Sequence, residues 1–240
     1  SHGFRIDWEE LATKITDKTR AIMVNTPHNP TGSIWSMEDL DSFAEIVKGT
    51  QILIISDEVY EHIVFDGAKH ASVLLNPELR KRSFVCGSFG KTYHITGWKI
   101  VYCLAPEYLT TEFRKLHQWV TFSSATPLQY ALADYLKTPA HYLGLSDFYQ
   151  QKRDLFASFF KESRWKILPS QGSFFQCLDY SAISDEADVD LAVRLTKEIK
   201  VASIPVSVFY EKPTTDRILR FCFAKNDDML QEAAQRLAKL

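Results

Sequence analysis

The sequence predicts an α/β protein, with a mostly parallel sheet in its first half and a smaller α+β domain after it. Two observations carry this reading. Short, continuously apolar runs, the pattern of strands buried on both faces, recur at 21–25, 51–56, 83–87 and 100–104. The first two flank a stretch of helical periodicity, and strand, helix, strand with buried strands implies a parallel pair.

Taken in order, 8–16 has helical spacing (Trp8, Leu11, Ala12, Ile15), with Asp7, Glu9 and Glu10 where a helix dipole favours carboxylates. Strand 21–25 ends in Thr26-Pro27-His28-Asn29-Pro30-Thr31-Gly32, whose prolines and glycine make a loop from which Asn29 projects. Ser36 caps the next helix (Leu40, Phe43, Ala44, Val47), with Asp39 at the capping-box position. Strand 51–56 runs into Asp57-Glu58-Val59-Tyr60, and strand 83–87 into Ser88-Phe89-Gly90-Lys91. Gly90 is expected to let the backbone turn, and Lys99 to start the strand at 100.

From Pro106 the pattern turns helical, at 107–120 and 128–136, and 148–160 reads as a connecting helix. Strands are expected at 165–168, 173–178 and 217–223, helices at 188–200 and 227–240, and an extended segment at 201–208. The domains are expected at 1–140 and 141–240.

Lys+Arg 28 against Asp+Glu 30 gives a net charge of −2, which points away from nucleic acid or an anionic membrane as partner. Cys86, Cys103, Cys177 and Cys222 each lie in an apolar run without C-x-x-C spacing, so buried free thiols in a cytoplasmic protein are expected. The chain opens at Ser1 without an initiator methionine, the look of a sequence cut into. His28, His94 and His117 lie on separate elements without metal-ligand spacing, and loop or core contacts are expected of them.

In parallel sheets, ligands bind beyond the carboxyl ends of the strands, where Asn29, Asp57, Tyr60, Ser88 and Lys91 are expected to converge. An amine, a carboxylate, hydroxyls and cations together suit a cofactor with an aldehyde, a basic ring nitrogen and a phosphate. The ordered set of Asn29-Pro30-Thr31-Gly32, Ser56-Asp57-Glu58-Val59-Tyr60, Ser88-x-Gly90-Lys91, Gly97-Trp98-Lys99 and Arg220-Phe221-Cys222-Phe223-Ala224 resembles the fold-type I pyridoxal-phosphate aminotransferases, across essentially the whole chain. Asn25-Thr26-Pro27-His28, Lys91-Thr92-Tyr93-His94 and Leu116-His117-Gln118 look most like the branch of kynurenine/glutamine and bacterial methionine aminotransferases.

That resemblance implies an aspartate aminotransferase-like fold, pyridoxal 5′-phosphate as cofactor, and transfer of an amino group from an apolar, sulfur-containing or aromatic amino acid to a 2-oxo acid. It implies that Lys91 links the cofactor and shuttles a proton, and that Asp57 pairs with its ring nitrogen. Tyr60 and Asn29 would bond its ring oxygen, and Ser88 and Lys99 its phosphate. Many family members carry arginine where Lys99 stands, and lysine is usual in this branch. Arg220 would clamp the substrate α-carboxylate, with Asn29 beside it, whereas Arg217 faces the other side of the strand as an exposed charge.

The resemblance also implies that about a third of the family's chain precedes this one, that the four strands leave an exposed sheet edge, that the complete protein is a homodimer, and that this piece alone turns over little or no substrate. Two other readings stay open: a carbon–sulfur β-lyase sharing Lys91, Asp57 and Asn29, and a non-catalytic aminotransferase-like module.

Overall fold

A computed structural model describes residues 3–212 and 214–240. The chain forms two compact units, one made of the residues up to Pro27 with Ile34–Leu145, the other of His28–Ser33 with Ser146–Leu240. The Asn29 loop therefore leaves the first unit and returns to it.

In the first unit, α1 (Trp8–Lys14) precedes β1 (Ala21–Asn25), α2 (Met37–Val47) and β2 (Leu53–Asp57); α3 (Pro77–Arg80), β3 (Ser83–Ser88), α4 (Phe89–Thr92) and β4 (Val101–Leu104) follow, then α5 (Glu107–Val120), α6 (Thr126–Tyr135) and α7 (Ala140–Leu143). The sheet order is β1-β2-β3-β4. The first two pairings are parallel and β3–β4 is antiparallel. The expected capping box is formed, with Ser36 Oγ accepting from the Asp39 amide and Asp39 accepting from the Ser36 amide. Its helix buries Leu40, Phe43 and Val47 against Trp35, Ile54, Val73, Leu79 and Val85. Trp8, Trp35 and Phe43 stack edge and face within 6.0 Å of one another. Burial on this scale holds α2 to the sheet far more firmly than its intrinsic propensity.

Among the described residues β1 and β4 are the edge strands of this sheet. Met23 on β1 is 72% exposed and Val101 on β4 is 61% exposed. Trp119 on α5 and Phe122 just beyond it add a further apolar surface, at 85% and 80% exposure.

In the second unit, α8 (Leu145–Ser158), which starts at the last residue of the first unit, leads to β5 (Lys166–Ile167) and β6 (Phe175–Asp179). Then come α9 (Asp188–Arg194), β7 (Ile204–Pro205), β8 (Ile218–Cys222) and α10 (Asp227–Leu237). The sheet order β5-β6-β8-β7 is antiparallel throughout. Two expectations change here. The helix from 188 widens into a π turn over Leu195–Ile199 and stops at Lys200, whose φ is 62°. The segment 201–208 pairs through only two residues, and Ser207–Phe209 coils into a 3-10 turn. Asp188, buried, draws it in by accepting from the Ser207 amide at 2.8 Å and hydroxyl at 2.6 Å.

The four cysteines are free, but only Cys177 is fully buried; the others are half-buried. Among the described residues no helix is long and apolar enough to cross a membrane.

Candidate active site

Asp57 is the last residue of β2 rather than the first beyond it. Its backbone carbonyl accepts from the Thr26 amide at 3.1 Å and from Asn25 Nδ2 at 2.8 Å, and its carboxylate accepts from the Val59 amide at 3.2 Å. Burial pushes the Asp57 carboxyl above its usual value, the Glu58 charge adds to this, and the Val59 amide and the Lys91 charge partly offset it.

Ser88 is likewise the last residue of β3, buried, at the start of the single helical turn α4 that carries Lys91. Gly90 is part of that turn. A Cβ there would lie 3.0 Å from Thr96 Cα and 3.3 Å from Ser88 Oγ, so its hydrogen keeps open the small space beside the Ser88 hydroxyl. Close approach, not a reversed backbone, is what requires glycine. The Lys91 amine stands 5.7 Å from the centroid of the buried Tyr60 ring.

Lys99 does not open a strand. It is exposed, in the left-handed region (φ 57°), and closes the 3-10 turn Thr96–Trp98 two residues before β4. Asp57, Tyr60, Ser88, Lys91 and Lys99 thus all belong to the first unit, at or after the carboxyl ends of β2 and β3.

Asn29 and Arg220 belong to the second unit. The Asn29 loop is tied there by the amides of Gln171 and Gly172, which donate to the Gly32 carbonyl at 2.7 and 2.9 Å, and by the Cys177 thiol on the Pro30 carbonyl. Arg220 lies on β8, an inner strand, opposite Cys177 on β6 and Ile204 on β7. Its Nη1 donates to Asn29 Oδ1 at 2.6 Å, and its guanidinium sits 4.1 Å from the Phe175 ring centroid. A planar cation held at one edge and on one face is fixed in direction. Arg217 precedes the strand and pairs with Asp185 at 2.8 Å.

The histidines make local contacts. His28 Nδ1 shares a 2.7 Å hydrogen bond with Thr31 Oγ1, and burial lowers its pKa. His94 is exposed, and His117 leans on Phe113.

Sequence reasoning missed what lies behind Asp57. Glu58, 1% exposed, accepts from Ser56 Oγ at 2.8 Å and the Val73 amide at 3.1 Å, and faces His70 Nε2 at 2.7 Å. The signal available was an acidic residue next to another at a buried strand end, with a histidine twelve positions on.

A carboxylate, an amine, a phenol and a buried hydroxyl at adjacent strand ends suit a phosphorylated pyridine aldehyde. The comparisons with known proteins agree. The family pattern "Aminotransferase class I and II" matches residues 1–237.

The chain belongs to the class I and II aminotransferases.

This family works with pyridoxal 5′-phosphate. The methionine aminotransferase of Escherichia coli K12 is 49% identical over 99% of this aminotransferase chain and 62% of its own length. A kynurenine–oxoglutarate transaminase of Dictyostelium discoideum is 36% identical over 100% of the chain and 61% of its own. Among solved structures, an E. coli methionine aminotransferase superposes with a TM-score of 0.96 (49% identity, 99% of this chain, 63% of that one). The N-succinyldiaminopimelate aminotransferase of Mycobacterium tuberculosis gives 0.94 (33% identity, 100% and 63%). The chain thus spans about three-fifths of the relatives it matches.

Proposed function

We propose that this protein transfers the amino group of a methionine-like or aromatic amino acid to a 2-oxo acid. The observation that carries the reading is the Asp57–Lys91–Tyr60 group at the ends of buried parallel strands, in a chain 49% identical to a methionine aminotransferase. When bound, pyridoxal 5′-phosphate supplies an aldehyde that takes up the amino group and a ring that draws electrons from the substrate α-carbon.

The chain's own residues do the rest. Lys91 would hold the cofactor through its amine and, when that amine is free, would carry the proton taken from the substrate α-carbon. Asp57 would pair with the ring nitrogen and keep it protonated; its raised basicity suits it to a cationic partner. Tyr60 and Asn29 would donate to the ring oxygen, while Ser88 and Lys99 would bind the phosphate, Lys99 as a point charge rather than a bidentate fork. Arg220, oriented by Asn29, receives the substrate α-carboxylate. The exposed Trp119 and Phe122 support a homodimer, and the free cysteines support the cytoplasm.

The test is incubation with pyridoxal phosphate, borohydride reduction and peptide mass spectrometry. One adduct on the Lys91 peptide is expected, together with turnover that requires a 2-oxo acid. Scattered or absent labelling in the complete gene product removes Lys91 from its role. Release of ammonia and a 2-oxo acid without an acceptor assigns a lyase instead.

A further inference from the structure

The proposed mechanism uses Asp57 but neither Glu58 nor His70, although these two form the most deeply buried ionisable pair beside the site. Ser56 and Glu58, on either side of Asp57, are locked together by the 2.8 Å hydrogen bond between their side chains. The Glu58 amide donates to the Cys86 carbonyl on β3 at 2.9 Å. Its second carboxylate oxygen meets His70 Nε2 at 2.7 Å, and the His70 side chain is only 10% exposed. His70 Nδ1 is buried and has no hydrogen-bond partner, so the imidazole spends its one contact on Glu58. Both chain neighbours of the Asp57 carboxyl are thereby anchored on the side away from it.

We propose that Glu58 and His70 form a positioning pair for Asp57, fixing the direction of its carboxylate and placing a negative charge behind it where it meets the cofactor ring nitrogen. This rests on the reading of Asp57 given above. Burial pushes the Glu58 carboxyl up, but the His70 imidazole and the Ser72 and Val73 donors more than offset it, so Glu58 stays ionised at neutral pH. The other groups facing the pair are Asp57 itself, the Cys86 thiol on β3, the Tyr102 hydroxyl on β4, and His62 with its neighbour Glu61. The thiol is pushed up to about 12 and burial pushes the phenol well above its usual value, so neither carries charge near neutrality. In that range the carboxylates and the two imidazoles set the local potential.

The experiment uses the complete gene product loaded with pyridoxal phosphate. Glu58→Gln keeps the shape and removes the charge, His70→Ala removes the partner, and His70→Gln retains a side-chain N–H for Glu58. Glu58→Gln is expected to weaken cofactor binding about three- to tenfold and to lower the pH midpoint of the bound cofactor's visible absorbance by about half a unit, since a nearby negative charge stabilises protonated forms. His70→Ala, which leaves the charge but frees its direction, is expected to weaken cofactor binding by a similar factor. His70→Gln is expected to restore the affinity.

An unmoved midpoint in Glu58→Gln, or an unchanged cofactor affinity in His70→Ala, overturns the proposal. If Asp57→Asn shifts affinity and midpoint while those variants do not, only the positioning role fails. If Asp57→Asn changes neither, the reading of Asp57 fails with it. Should all the Glu58 and His70 variants fail to fold, the pair braces the fold instead, which also overturns it.

Discussion

Arg220→Lys separates charge from geometry at the proposed carboxylate clamp. The guanidinium is held by Asn29 Oδ1 at 2.6 Å and by the Phe175 ring at 4.1 Å, so its fork is aimed before substrate arrives. An ammonium keeps the positive charge but offers no planar pair of donors, and one charge-assisted hydrogen bond to the substrate carboxylate is lost. Such a bond contributes about 1.5–3 kcal/mol. At about 1.4 kcal/mol per decade, kcat/KM should fall by roughly 10- to 150-fold. The assay compares single-turnover rates with methionine and with the amine left after removing its carboxylate. The loss should appear with methionine, while the amine changes by no more than about twofold, because it makes no contact that the fork supplies. Equal losses on both substrates would refute the clamp and leave Arg220 as a support for Asn29 and the β6–β8 pairing. Asn29→Ala, run alongside, shows how much of the effect passes through that hydrogen bond.

Three further outcomes are expected. Lys91→Ala should abolish the borohydride-stable adduct and lower transamination by at least about 10²–10⁴-fold, the usual contribution of a positioned general base, as measured by mass spectrometry and steady-state rates. Asp57→Asn should weaken cofactor binding yet raise the melting temperature of the cofactor-free protein. Burial raises the Asp57 pKa from 3.8, so its ionised form is disfavoured in the fold and stability drains away as pH rises through that raised value; an amide escapes this, and calorimetry at neutral pH reads it. Glu58 has the opposite sign. Its folded pKa lies below 4.5, so the stability it contributes is present above 4.5 and is lost as pH falls through the folded value; urea titrations in acid should show Glu58→Gln lacking that component.

The strand ends were legible because a strand buried on both faces must be apolar along its length, so the first polar residue after it marks where the sheet meets solvent and ligand. Asp57 and Ser88, expected just past their strands, are the last residues of β2 and β3, and Lys91 follows on the turn after β3. Arg220 was legible because period-two alternation places it on one face of β8. Lys99 was misplaced because a left-handed residue closes the turn before β4, and nothing local announces a lysine in that conformation. The extended reading of 201–208 failed for a similar reason. Pro205 has no amide to continue a ladder, and Asp188, far away in sequence, takes the Ser207 donors that a strand would have used.

What the sequence withheld were contacts made by loops whose paths are set from outside them. The Asn29 loop is held in the second unit by Gln171, Gly172 and Cys177, about 140 residues along the chain. Local turn chemistry explains why 26–32 is a loop, but not which body it joins. Glu58 and His70 are closer in sequence, yet their meeting depends on the irregular stretch from 61 to 72, which has no periodicity to read. A glutamate beside the strand-end Asp57 looks in sequence like one more solvated charge. It becomes informative only when its burial is known, because a charge 1% exposed must be matched by specific donors. Those donors, Ser56, Val73 and His70, are what tie the end of β2 to the loop behind it. Residues at the strand ends can therefore be named from their own neighbourhood, whereas those packed behind them are visible only once the fold brings distant segments together.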